Sequence, residues 1–216
     1  MNRDNWLKER SKGIGGSDAA AILGVSPYKT NEQLWLEKTG QEQPEDISGK
    51  SWVIDGTKSE EHIRELFKLG HPNIEYWYEP FNNFASPKYD FIRGSVDGLI
   101  TMPDGTKGIH EIKNAEIFGL AAKEKWNCTV PVHYLVQVLH YFNVFPDAKF
   151  AVLTALLKTK VQSDDFSMFD SSAELRNYVI MRARFAQAAE DLLGKELKFW
   201  ECVKSGTRPD LILPNL

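Results

Sequence analysis

The chain reads as an α/β (α+β) fold, a mixed central β-sheet flanked by helices. Three observations predict it. Helical patterns come first, strand patterns fill the middle and helical patterns return at the end. The segment RGSVDGLITMPDGTKGIHEIKN, residues 93–114, reads as a β-hairpin turning at Asp104-Gly105. The run FAVLTALL, within residues 149–157, has the length and apolar continuity of a buried strand, although periodicity alone also allows a helix there.

Taken in order, residues 18–23 form a short helix capped by Ser17. Residues 31–39 (NEQLWLEKT) form a second, stopped by Gly40. The acidic stretch GQEQPEDIS at 40–48 is a surface loop. A third, longer helix spans about 49–69, with Ser48 as cap and Gly70 as stop. Strands follow at 75–81, near 91–100 and at 108–113. Thr129 or Pro131 opens a helix to about Phe145, proline suiting its first turn. Residues 170–204 form a long amphipathic helical stretch, broken or bent near Gly194.

With 216 residues, 42% hydrophobic and 26% charged, the chain suits a single domain over 1–216 with a sizeable core. No apolar run approaches a membrane span, and the N-terminus lacks the apolar core of a signal peptide, so the expected compartment is the cytoplasm. Cys128 and Cys202 form no zinc or iron–sulfur ligand set. A net charge of −4 argues against a generally basic surface, but a local groove with bound metal can still receive nucleic acid.

The chemistry concentrates in the hairpin. Pairing about Asp104-Gly105 sets Asp97 opposite Glu111 to within a residue. Glu111 and Lys113 share one face, and Ile112 points to the other. Opposed carboxylates repel unless something positive lies between them, so a divalent metal beside Lys113 is the natural reading. The plain alternative is a turn at Asp97-Gly98 followed by a solvated Glu-x-Lys strand. Glu60 shares a helical stripe with Ile63 and Phe67, where a carboxylate is either paired, metal-bound or an edge residue reaching for water. Tyr134, Gln137 and Tyr141 make a polar stripe on an apolar helix, suited to an internal hydrogen-bond network or to facing a substrate. GIGGSD at 13–18, with Trp6 and Arg10 upstream, offers amides, a hydroxyl, an aromatic face and a guanidinium to a phosphate or base.

Together these residues resemble the YqaJ-like viral recombinase family, the lambda-exonuclease-like branch of the PD-(D/E)XK nucleases. The resemblance runs from Trp6 to about Val144. It is carried by Trp6 and Arg10, GIGGSDAAAILGVSPYKT (13–30), LWLEKTG (34–40), Gly56 and Glu60, IRELF (63–67), SVDGL (95–99), EIK (111–113), and Tyr134 with Gln137. It implies a PD-(D/E)XK core and a Mg²⁺-dependent 5′→3′ exonuclease on linear double-stranded DNA. Such an enzyme releases mononucleotides and leaves a 3′ strand for phage or prophage recombination.

On that resemblance Asp97, Glu111 and the Ile112 carbonyl hold the main ion, one or two ions serving each active site and Mn²⁺ substituting for Mg²⁺. Glu60 serves a second metal or the attacking water. Lys113 orients and activates that water, and Gln137, with Tyr134, supports the nucleophile or Lys113. Arg10 and Ser17 grip the 5′-phosphate, with Trp6 alongside. The implied partners are DNA ends, a single-strand annealing protein and two further copies in a homotrimer, in the cytoplasm of a bacterial host. Two departures stand out. Val96 replaces the proline of the family name, and the arginine that follows E-x-K in the lambda-exonuclease branch is missing, Gly119 standing there with Lys123 and Lys125 beyond. An endonuclease of the same fold and a non-catalytic DNA-binding scaffold are the rival readings.

Overall fold

A computed structural model of the chain describes residues 1–127, 129–159 and 172–213. The centre is a five-stranded mixed sheet, ordered β1-β4-β5-β6-β7. Its strands are β1 (Glu75–Trp77), β4 (Gly98–Thr101), β5 (Lys107–Ile117), β6 (Phe150–Thr159) and β7 (Ser172–Met181). The β5–β6 pair is parallel and the other pairs are antiparallel. A two-stranded ribbon, β2 (Phe84–Ala85) with β3 (Arg93–Gly94), lies apart from it.

The parallel pair needs a crossover, and the chain supplies one through α5 (Gly119–Glu124) and α6 (Val132–Val144). The α6 sequence, VHYLVQVLHYFNV, is apolar nearly all round and is accordingly buried, with Val138, His140 and Phe142 fully enclosed. It packs between the sheet and two other helices, α2 (Gly16–Ile22) and α7 (Ala186–Ser205). Gly16 permits the closest approach: a Cβ there would lie 2.6 Å from the Tyr141 ring. The opposite sheet face is covered by α4 (Ser51–Gly70), whose Phe67 stacks on His110 of β5 at 4.2 Å. Both faces being covered, β6 is apolar from Phe150 to Leu157 except for Thr154, and the strand reading of this run holds over its helical alternative.

The hairpin register runs from Gly98 opposite His110 to Thr101 opposite Lys107, and one further step brings Asp97 to Glu111. The loop is one residue longer than a symmetric two-residue Asp104-Gly105 turn. Met102 and Thr106 close it, and Gly105 takes a left-handed φ of 82°.

The largest departure lies in residues 170–204. Residues 172–181 are not helical; they pair with β6 along a ten-residue ladder from Thr159–Ser172 to Phe150–Met181. Leu175 and Val179, spaced like a helical stripe, are exposed, while Tyr178 and Ile180 alternate toward the core. Tertiary pairing therefore overrides the apparent 3.6-residue period. Residues 170 and 171 lie outside the described residues. Gly194 does not break the helix: α7 runs through it.

Smaller differences follow from local chemistry. The cap of α2 is Gly15, whose N–H donates to Asp18 Oδ2 at 3.0 Å, so Ser17 falls inside the helix. Helix α4 starts at Ser51 after Lys50 rather than from Ser48. The strand expected over 75–81 ends at Trp77, and that expected over 91–100 splits into β3 and β4 around residues 95–97. Two further helices, α1 (Arg3–Ser11) and α3 (Asn31–Lys38), complete the N-terminal part. Among the described residues no helix is long and apolar enough to cross a membrane.

Candidate active site

A cleft of about 790 Å³ opens where the start of β4, the middle of β5, α4, α6 and the α1–α2 junction meet. It is lined by Glu60, Asp97, Glu111, Ile112, Lys113 and Gln137, and also by Trp6, Arg10 and Ser17. Nine of the ten predicted site residues therefore converge on one surface. The tenth, Tyr134, sits behind it, its ring centre 5.2 Å from Lys113 Nζ and 5.7 Å from the Trp126 ring centre. A second concavity of about 630 Å³ lies beside β1 and β4 near Phe84, Leu99 and Phe145, and holds none of these groups.

Strand alternation sorts the β5 side chains. Glu111 and Lys113 face α6, where Lys113 Nζ lies 2.7 Å and Gln137 Nε2 2.6 Å from Glu111 Oε1. Gln137 also donates to the Tyr141 hydroxyl at 2.7 Å, which donates to the Ser95 carbonyl at 2.7 Å. Gln137 and Tyr141 of the polar stripe on α6 thus form an internal hydrogen-bond network that includes Glu111. Glu111 Oε2 is buried without a hydrogen-bond partner. Asp97 Oδ2 accepts the Ile112 N–H at 2.7 Å, which locks the carboxylate against the strand.

The electrostatics follow from packing acids together in a poorly hydrated place. Burial, reinforced by Asp97 and Glu60, pushes Glu111 up to about 8 despite Lys113 beside it. Burial and then the Asp97 charge push Glu60 up to about 7. Asp97 is raised too, chiefly by burial, against the pull of Lys113, the Ile112 amide and Arg64. Lys113 loses from burial but gains more from Glu111 and Asp97, and rises to about 12, so it is an ammonium at neutral pH.

Acids held in this state suit a hard cation. The donors are oxygens, and one oxygen of Glu111 is buried with nothing to satisfy it. Among the described residues, however, no three acidic, histidine or cysteine side chains are drawn close enough to form a closed ligand cage. Lys113 and Gln137 engage Glu111, and the Ile112 amide engages Asp97, so the acids line one cleft without meeting at a point.

Several neighbours were not singled out in the sequence. Arg64, four residues after Glu60 on the same helical stripe, is buried, stacks at 3.6 Å over Tyr78 and reaches the Asp97 carbonyl at 3.4 Å. The Tyr76 hydroxyl donates to that carbonyl at 2.9 Å and lies 2.7 Å from His110 Nδ1. Burial and Arg64 pull His110 down to about 3, so it is neutral, and its Nε2 lies 2.8 Å from Thr154 Oγ1. Arg93 lines the cleft beside Arg10, its Nη1 3.2 Å from Glu9 and its Nε buried without a partner. Arg10 Nη2 donates to Ser17 Oγ at 2.6 Å, and its guanidinium lies 5.1 Å from the Trp6 ring centre. The i,i+4 spacing could have flagged Arg64; nothing local distinguishes Arg93.

This sheet and its helices are the architecture of the alkaline and phage-type exonucleases. An alkaline exonuclease (LHK-Exo) from Laribacter hongkongensis superposes with a TM-score of 0.65 over 94% of each chain at 13% identity. A phage related exonuclease from Haemophilus somnus 129PT gives 0.56 at 14% identity, covering 90% of this chain and 96% of its own. At those identities the likeness is one of fold. The chain belongs to the YqaJ-like viral recombinase family, which matches residues 5–149. The uncharacterized protein YqaJ of Bacillus subtilis (strain 168) is 38% identical over 157 residues, 71% of this chain. The chain spans about half, 47%, of that relative's length.

Proposed function

We propose that the chain is a divalent-metal-dependent 5′→3′ exonuclease on linear double-stranded DNA, providing 3′ single strands for recombination by annealing. The observation that carries this reading is the cleft in which Glu111, with one buried unpartnered oxygen, lies beside Lys113 and across from Glu60 and Asp97. Family membership supports it. Asp97, Glu111 and the Ile112 carbonyl would hold Mg²⁺ or Mn²⁺, with Glu60 available to a second ion. Such an ion supplies water of lowered pKa and offsets charge on the phosphoryl oxygens.

The chain's own groups have defined tasks. Lys113, being an ammonium, cannot take a proton; it donates to the attacking water or to a phosphoryl oxygen and stabilises the charge that develops there. Glu60, brought near 7, is the better matched proton acceptor at neutral pH. Gln137 holds Glu111 and, through Tyr141, fixes Ser95 two residues before Asp97. Arg10 and Ser17 grip a 5′-phosphate. Arg93 supplies the second guanidinium in place of the arginine missing after the E-x-K motif. A homotrimer around the duplex, a single-strand annealing partner and a bacterial cytoplasmic setting complete the proposal.

Linear duplex labelled separately at each end tests it. Mg²⁺-dependent release of mononucleotides should proceed from the 5′ ends, and removing the 5′-phosphate should slow initiation by roughly tenfold or more, as loss of a charge-assisted contact costs about 1.5–3 kcal/mol. Binding without hydrolysis would establish a scaffold, and opening of circular duplex an endonuclease. Equal rates on phosphorylated and hydroxyl ends would reject the roles of Arg10 and Ser17.

Metal binding has its own signature. The raised values of Glu60 and Glu111 mean that the folded chain holds protons that the unfolded chain releases. Their stabilising contribution is complete below the ordinary carboxylate range and is lost as pH rises through about 7 to 8. A cation replaces those protons. In chelator, the melting temperature should therefore fall between about pH 6 and about pH 9, and Mn²⁺ should raise it more at the alkaline end. A metal-induced shift that ignores pH, or that survives in Glu111→Ala, would exclude Glu111 as a ligand.

A further inference from the structure

We propose that Phe81 is the seat of a nucleobase, stacking on the base of the terminal nucleotide while Arg10 and Ser17 hold its 5′-phosphate and the phosphodiester to the next nucleotide lies over Asp97 and Glu111. The inference takes its substrate class from the nuclease reading. Phe81 is the only non-glycine among the described residues with a positive φ, 55°. A bulky side chain is poorly tolerated in that left-handed region and persists only where its surroundings hold it.

Asn82 does the holding. Its side chain accepts the Val96 N–H at 2.9 Å, and its Nδ2 donates to the Val96 carbonyl at 2.9 Å and the Glu79 carbonyl at 2.8 Å. Its own carbonyl accepts Ser95 Oγ–H at 2.6 Å and the Trp6 indole N–H at 3.1 Å. The loop is thereby clamped to the residue preceding Asp97. Phe81 and Asp97 are the chain neighbours of Asn82 and Val96, the two residues that this bonding joins.

The fold gives no other reason for a phenyl ring at this position. Phe81 belongs to none of the core clusters, stays 40% exposed and lines the cleft. Trp6 supports it from the side, with ring centres 6.1 Å apart, and is itself covered by Arg10. Tyr78, the other aromatic ring nearby, is covered by Arg64. Phe81 therefore keeps the most open aromatic face of the three beside the acids. A face without hydrogen-bonding groups recognises any base by stacking, which suits a substrate removed nucleotide by nucleotide irrespective of sequence.

Calorimetric binding of dAMP and of 2-deoxyribose 5-phosphate, which lacks only the base, isolates the contact. With Ca²⁺ present, the wild-type chain should bind dAMP roughly 5- to 150-fold more tightly, the range expected for one stacked base. Phe81→Gly, which suits the left-handed backbone, should abolish the preference, and Phe81→Asn, also tolerated there, provides a second folded variant. Phe81→Trp should keep it. Equal binding of the two ligands by wild type, or an undiminished preference in Phe81→Gly, overturns the proposal. Duplex digestion by wild type, run in parallel, separates the two readings. Base-dependent dAMP binding without digestion removes the nuclease and leaves the seat; digestion without base preference removes the seat alone.

Discussion

Lys113→Ala is expected to lower kcat on linear duplex by about 10²- to 10⁴-fold, the range for loss of a positioned proton-transfer or charge-stabilising group. Duplex affinity, measured in Ca²⁺, should stay within about threefold, because the contact is made chiefly to charge that appears during the reaction. The fold should survive. Burial already raises Glu111 with its ammonium partner in place, and removing that partner raises it further, so the carboxyl takes a proton instead of remaining a stranded buried charge. Lys113→Arg should rescue little, since a planar guanidinium cannot occupy the place of a compact ammonium 2.7 Å from Glu111 and 5.2 Å from the Tyr134 ring centre. Single-turnover rates with the metal held saturating distinguish chemistry from metal loss. Near-normal turnover by Lys113→Ala would remove this residue from the mechanism.

The acids and the lysine were legible in the sequence because their relation is local. A hairpin needs only its turn and a period of two to bring Asp97 to Glu111 and to put Lys113 on the same face, and the observed register differs from the symmetric one by a single step. Glu60 was legible for a related reason: a carboxylate on the stripe of Ile63 and Phe67 has to be accounted for. Arg10 and Ser17 were legible as phosphate-suited groups around a glycine-rich helix entrance, their assignment to a 5′-phosphate came from the family resemblance, and the structure pairs them. Long-range placements were not legible. Arg93 enters the cleft from a two-residue strand, and Asn82 reaches it from a loop fixed by Val96, Ser95 and Trp6. No sequence period encodes such contacts. Strand β7 was misread for a third reason. Exposed Leu175 and Val179 imitate a helical stripe, and only the presence of β6 as a partner makes the segment a strand.

Glu196→Ala should cost about 3–5 kcal/mol, the penalty for removing one partner of a buried ion pair. His140 and Glu196 are both completely enclosed between α6 and α7, with Nδ1 2.6 Å from Oε1. The other ring nitrogen, Nε2, lies 2.7 Å from the Arg93 carbonyl. A carbonyl and a carboxylate both require donors, so the ring must carry both protons and be an imidazolium. Burial opposes that charge, but Glu196, the Arg93 carbonyl and the more distant Asp18 outweigh it and raise His140 above its ordinary value. The stabilisation is therefore complete below the unfolded histidine value of about 6.5 and is lost as pH rises through the raised folded value. Urea unfolding of wild type and Glu196→Gln over about pH 5.5 to 9 isolates it, because Glu60 and Glu111 contribute the same slope to both proteins. The difference between the two should be largest at the acidic end and shrink toward the alkaline end. A constant difference would mean that His140 is neutral, and Glu196→Ala as stable as wild type would show that the pair does not hold α7 to the helix carrying Gln137 and Tyr141.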